Sequence, residues 1–173
     1  MNEAINKAIR LEFEDFVEMF QINKYFIPCK VPQAVNTNGI ARQQYQDHPR
    51  IAKPYGDTIQ QILQFHRSAT PLKKLLAINK IKRTVYRQYL EYAQANDCPK
   101  SINELIDMDL QLGVMCYCIL KSGQANLQSD ILMMEAFLDM DHFENSVHAY
   151  FYMVFKSALS FLENSFLDIV QHL

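Results

Sequence analysis

HAYFYMVFKSALSFLENSFLDIV, residues 148–170, contains neither glycine nor proline and is rich in aromatic residues. Nothing in it interrupts a helix, and a helix on the surface of a globular protein needs only one apolar stripe. Val147, Tyr150 or Phe151, Val154, Ala158, Phe161 and Phe166 already supply that stripe. Tyr152, Met153, Phe155 and Leu159 are left over. Two arrangements use them: a central helix buried on all sides, or a second apolar face kept for a partner.

The rest of the chain reads as helices too. Asp109 opens a very apolar helix, DLQLGVMCYCILK, which Ser122-Gly123 should stop, glycine being the usual residue just past a helix end. Leu127 to Leu138 forms another, with Ile131, Met134 and Leu138 inward, and DMDHFENS (139–146) is a loop whose Asn145 or Ser146 can cap the final helix. SINE at 101–104 has the capping-box pattern. Thr70-Pro71 is a helix start, a side-chain oxygen cap followed by proline where its missing N–H costs nothing. Leu75, Ile78, Ile81, Val85, Tyr89 and Tyr92 then mark a long amphipathic helix ending before NDCP, and a shorter helix is expected from about Tyr55 to Arg67.

Residues 28–50 carry three prolines and an Asn-Gly pair with weak periodicity, and read as a loop or linker. Ahead of it Ile5, Ile9, Phe13, Phe16 and Phe20 line one face of a helix that should stop near Pro28. The expected organisation is an N-terminal amphipathic helix (1–27), a linker (28–50) and a helical core (51–173). The fold class is all-α, a layered bundle of about six to seven helices. No strand alternation and no fixed repeat period appears.

Composition narrows the function classes. In 173 residues, 17 lysines and arginines balance 19 acids for a formal charge of −2, and no basic block suggests nucleic acid or a membrane surface. No apolar run approaches the roughly 18 residues of a membrane span, and MNEAINKAIR lacks a signal-peptide core, so a cytosolic protein is expected. Cys29, Cys98, Cys116 and Cys118 form no C-x-x-C and no set with histidine at metal spacing, and read as free thiols, buried or half-buried. His48, His66, His142, His148 and His172 are scattered, and no carboxylate-histidine pattern of a metal bundle exists. Nucleotide-binding loops and hydrolase motifs are absent from the sequence. Residue chemistry thus indicates a binding module, with no metal and no cofactor expected. One polar feature stands out: Asp107 and Asp109 at the start of the greasy helix, where acids are favoured by open N–H groups and the helix dipole, so that a simple cap suffices to explain them.

Taken in order, these pieces resemble the Vps-nine domain, named after vacuolar protein sorting nine. TPLKKLLAINKIKR is similar to the family's segment of a proline, then Lys-Leu, then an apolar-basic helix. The likeness sharpens from Asp109. The family runs Asp, two apolar residues, Leu/Ile-Pro, an apolar helix and Lys-Ala-Asn-Pro, where this chain has DLQLGVMCYCILKSGQ. NLQSDILMMEAFLD resembles the following segment, and AYFYMVFKSALSFLEN the family's Gly-Tyr-Tyr, Thr-x-x and x-Ala-x-x-Phe-Ile-Glu. The resemblance implies an all-helical exchange factor for an endosomal Rab GTPase of the Rab-five type, without covalent chemistry, recruited to endosomal membranes. It implies a groove between the helix opened by Asp109 and the last helix, with Asp109 and Tyr150 as the catalytic pair. Leu112, Gly113, Tyr117, Met153 and Ser157 are the candidate partner-contacting positions.

Three positions depart from the family: Gly113 replaces proline, Met153 replaces threonine and Ala149 replaces glycine. These departures bear on catalysis more than on fold. They leave three functions open: an active exchange factor, an exchange-inactive relative that binds a GTPase or serves as a scaffold, and an unrelated helical interaction protein.

Overall fold

The computed structural model describes residues 16–18, 20–23, 26, 54–101, 104, 106–139 and 149–171, with side chains of the last helix described through residue 164. Five long helices carry the fold: α1 (Gly56–Arg67), α2 (Pro71–Ala95), α3 (Met108–Ser122), α4 (Leu127–Phe137) and α5 (Ala149–Gln171). No strand occurs among the described residues. The all-α bundle expected from the sequence is present. The expected linker at 28–50, all but Asp139 of the expected loop at 139–146 and most of the first helix lie outside the described residues.

Local chemistry accounts for the helix ends. Thr70 caps α2, its hydroxyl accepting from the Lys73 N–H at 3.3 Å, and Pro71 occupies the first turn as expected. Gly123 stops α3 in the left-handed conformation (φ 65°) that glycine adopts without penalty. α1 starts differently. Tyr55 precedes it at φ 56° and offers no side-chain cap. The N–H and hydroxyl of Thr58 donate instead to Gln88 Oε1 of α2, at 3.2 and 2.6 Å, so a buried glutamine from the neighbouring helix satisfies an open donor. The N-terminal helical turn ends at Gln21 (φ 49°), with the Ile22 N–H donating to the Val17 carbonyl at 3.0 Å. This left-handed stop comes seven residues before Pro28 (28 − 21), earlier than the sequence suggested.

α1 and α2 form an antiparallel hairpin, Asp57 meeting Arg87 near one end and Phe65 meeting Lys74 near the other. α3 lies on α1 and runs parallel to α5, as Gln111 contacts Tyr150 and, further along, Cys116 contacts Ala158. α4 bridges α2 and α5. The most enclosed helix is α3, which buries ten residues from Leu110 to Ser122. The last helix is not buried on all sides. Phe151, Val154, Ala158 and Leu162 are buried as part of its core.

Three of the four surplus residues prove to be core as well. Phe155 meets the Phe65 ring of α1 edge-on at 5.4 Å, Tyr152 is buried with its hydroxyl donating to Glu135 of α4, and Leu159 is buried. Much of the second apolar face is therefore spent inside the bundle, on α1 through Phe155 and on α4 through Tyr152. Of the four, Met153 alone is exposed, on the same stripe of the helix as exposed Tyr150 and Ser157.

One buried cation joins three helices. Lys74 of α2 is almost wholly enclosed, and its Nζ donates to the Phe65 and His66 carbonyls ending α1, at 3.0 and 3.2 Å. It also pairs with Asp130 of α4 at 3.0 Å, while His66 Nδ1 contacts the other Asp130 oxygen at 2.7 Å. The ammonium further lies 4.9 Å from the Phe65 ring centroid. Carbonyls at a helix C-terminus are open acceptors with partial negative charge, so a cation there is favoured twice.

Two outcomes follow. Lys74→Met should lower the unfolding free energy by about 3–5 kcal/mol by leaving Asp130 and the two carbonyls short of a donor, measured by urea denaturation. Cys116 and Cys118 are buried, and burial pushes the Cys116 thiol up to about 12 and the Cys118 thiol well above its ordinary value. Both should resist alkylation in the native protein and react once it unfolds, while Cys98 reacts natively. Native labelling of either buried thiol, read by mass spectrometry, would contradict this packing.

Candidate functional site

The beginnings of α3 and α5 lie side by side. Asp107 caps α3, its carboxylate accepting from the Leu110 N–H at 2.7 Å. The two neighbouring acids thus divide their roles. Asp107 satisfies the helix end, and Asp109, in the first turn, is exposed and makes no hydrogen bond or ion pair among the described residues. A carboxylate one turn into a helix is held by the dipole without being used up by it.

Tyr150 projects from the first turn of α5 with 46% of its surface exposed. Its hydroxyl accepts from Gln111 Nε2 at 3.2 Å, so it is tied to Gln111 rather than to Asp109. Gln111 is 3% exposed and its Oε1 accepts in turn from the Tyr86 hydroxyl of α2 at 3.1 Å. Burial pushes the Tyr86 phenol up, with the nearby Tyr150 adding to it, so Tyr86 stays a neutral donor. Reading the sequence missed Gln111 and Tyr86. The available signal was a glutamine in the otherwise greasy DLQLGVMCYCILK, at a position where the family has an apolar residue.

Met153 is 45% exposed and Ser157 is exposed, three and seven residues after Tyr150, so the three share one narrow stripe of α5. Exposed Met108 and half-buried Leu112 lie on α3 near Asp109. Gly113 and Tyr117 do not share this surface. Both are buried, so as candidate contact positions they are corrected to supports. The reason is the N-terminal segment: Phe16 meets the Tyr117 ring edge-on at 5.2 Å, and Phe20 lies over Gly113 and reaches the Phe161 ring of α5 at 5.8 Å. A β-carbon on Gly113 would lie 2.9 Å from that of Phe20, so glycine here is a matter of close approach rather than flexibility. Ala149 is the first residue of α5 and is absent from the positive-φ positions, so replacing glycine costs no strain there.

Among the described residues no cluster of three or more histidines, cysteines or acids could hold a metal, and no helix is long and apolar enough to cross a membrane. The site offers a partner a free carboxylate, a phenol and a few apolar tips, an arrangement suited to docking rather than to covalent chemistry.

The core is all-helical, and its parallel pair α3 and α5 carries an exposed acid and a half-exposed tyrosine near the helix starts. The chain matches the family model of the Vacuolar sorting protein 9 (VPS9) domain over residues 55–166 and belongs to that family. No curated protein and no solved structure gives a match. The Vps-nine domain is the exchange-factor domain of Rab GTPases, in which nucleotide release involves no covalent step. The match begins at Tyr55, the residue that ties the N-terminal segment to the core: its buried hydroxyl donates to the Phe26 carbonyl at 2.9 Å.

Gly113→Ala gains about 1 kcal/mol of helix propensity, yet it should destabilise the protein because the new methyl meets Phe20. In a Phe20→Gly background the same change should instead stabilise. Denaturant unfolding of the four proteins reads both effects, and stabilisation by Gly113→Ala alone would contradict the close approach.

Proposed function

We propose that this domain accelerates GDP release from an endosomal Rab GTPase of the Rab-five type, with Asp109 as the group that replaces phosphate and Tyr150 as its companion. A GTPase holds its nucleotide through a P-loop lysine, backbone N–H groups and Mg²⁺ on the phosphates. Opening the switch regions removes the Mg²⁺ site. A carboxylate that then pairs with the bared lysine stabilises the nucleotide-free form, and by linkage anything that prefers that form weakens nucleotide binding to the same degree.

The observation that carries the reading is the division of labour between the two acids. Asp109 can serve a partner's ammonium group only if it is neither buried nor paired, and Asp107 takes the capping role that would otherwise occupy it. On α5 the exposed Tyr150, Met153 and Ser157 supply aromatic, apolar and polar contact area, and on α3 the half-buried Leu112 lies one turn after Asp109. Met153, where the family has threonine, favours a second reading: an exchange-inactive relative that binds the GTPase through this apolar tip.

Stopped-flow release of a fluorescent GDP analogue from a panel of Rab GTPases separates the two. Acceleration is expected for a Rab-five-type member, and Asp109→Ala should reduce it by about 100-fold, the scale of losing one electrostatic contact in a transition state, with thermal unfolding unchanged. Binding without acceleration would select the inactive relative. Neither binding nor acceleration across the panel would end both readings.

A further inference from the structure

Where the beginnings of α3 and α5 meet runs a polar chain of three side chains from three helices: Tyr86 of α2, Gln111 of α3 and Tyr150 of α5. Its middle member is buried, and a buried primary amide is costly unless both its ends are used. Here both are. The direction of the bonds is the informative part. The Tyr86 hydroxyl donates to Oε1, and Nε2 donates to the Tyr150 oxygen. Tyr150 is therefore an acceptor on its inner side, and its own O–H proton is not consumed by this chain.

An apolar residue at position 111 would leave the Tyr150 phenol free to rotate. A carboxylate there would accept the phenolic proton and turn it inward. An amide backed by a donor does neither: it holds the oxygen from behind and leaves the proton facing outward. Tyr86 is itself held in place, its ring edge-on to Tyr89 at 5.6 Å and to Phe151 at 6.4 Å.

We propose that Gln111, backed by Tyr86, is a positioning residue that fixes the Tyr150 hydroxyl as an outward-facing donor for a carbonyl or carboxylate oxygen on the bound GTPase. This rests on the exchange reading above. It adds a residue that the family pattern of two apolar positions after the aspartate does not contain.

The test is a double-mutant cycle on the maximal rate of GDP release. Gln111→Leu should slow release by about tenfold, the scale of one hydrogen bond. Gln111→Glu, which keeps the size but reverses the polarity, should slow it at least as much. Tyr86→Phe, which removes only the backing donor, should give a smaller loss in the same direction. In a Tyr150→Phe background none of the three should have any further effect, because the hydroxyl they position is gone.

A purely structural role for Gln111 would give the same fold-loss with Phe at position 150 as with Tyr, and that result overturns the proposal. So does a wild-type rate in Gln111→Leu. If the wild-type protein accelerates no GTPase, the exchange reading fails and the proposal falls with it, an outcome distinct from an active wild type whose variants do not couple.

Discussion

The structure depends on one buried ammonium group. Lys74 ends α1 by binding its last carbonyls and joins α4 to α2 through Asp130. An uncompensated buried charge costs several kcal/mol, so the arrangement tolerates little change in any partner. Where well-packed apolar residues might stabilise as much, a charged hub adds geometry: it accepts only one placement of α1's end and of α4. The hairpin of α1 and α2 and the bridge of α4 then set where α3 and α5 lie. The Glu135 carboxylate of α4, held below its usual range by Lys156 and Tyr152, carries this bracing on to α5.

Within that frame α3 is enclosed while its first turn is not. The consequence is a short stretch where the chain passes from core to surface within two residues, Gln111 inward and Asp109 outward. Successive residues on a helix are about 100° apart, so positions two apart face nearly opposite ways. The buried amide is thereby spent on Tyr86 and Tyr150, while the acid two residues earlier stays exposed. The N-terminal segment closes the remaining side. Phe16 and Phe20 cover Tyr117 and Gly113, which lie in the family-matched region although the phenylalanines do not.

Much of the fold was legible because its signals are local. Thr70-Pro71 and Gly123 mark helix ends by their own backbone chemistry, and the apolar spacing of α2 needs no knowledge of its neighbours. What was not legible depends on partners distant in sequence. Lys74 reads as one more cation in an apolar-basic helix, since Asp130 is 56 residues away (130 − 74). The extra apolar residues on α5 left two arrangements open because periodicity tells how many faces are apolar but not what lies against each. Asp107 and Asp109 could not be separated, both being favourable near a helix start. Gly113 read only as a departure from the family's proline, whereas the structure sets the Phe20 side chain, from a segment outside the family match, where a β-carbon would lie. Tyr150 was legible through the resemblance, but its partner Gln111 was not.

The central claim is that a spare carboxylate at the start of α3 competes with phosphate for a GTPase lysine. Linkage makes this a statement about affinities: the factor by which the domain weakens GDP binding equals the factor by which it prefers the empty GTPase. The most direct measurement is the affinity of the domain for one responsive Rab GTPase, nucleotide-free and GDP-loaded, compared with that of Asp109→Asn. The account expects a strong preference for the nucleotide-free form that the neutral isostere largely loses. Equal affinity for both forms, or a preference that Asp109→Asn leaves intact, would contradict it.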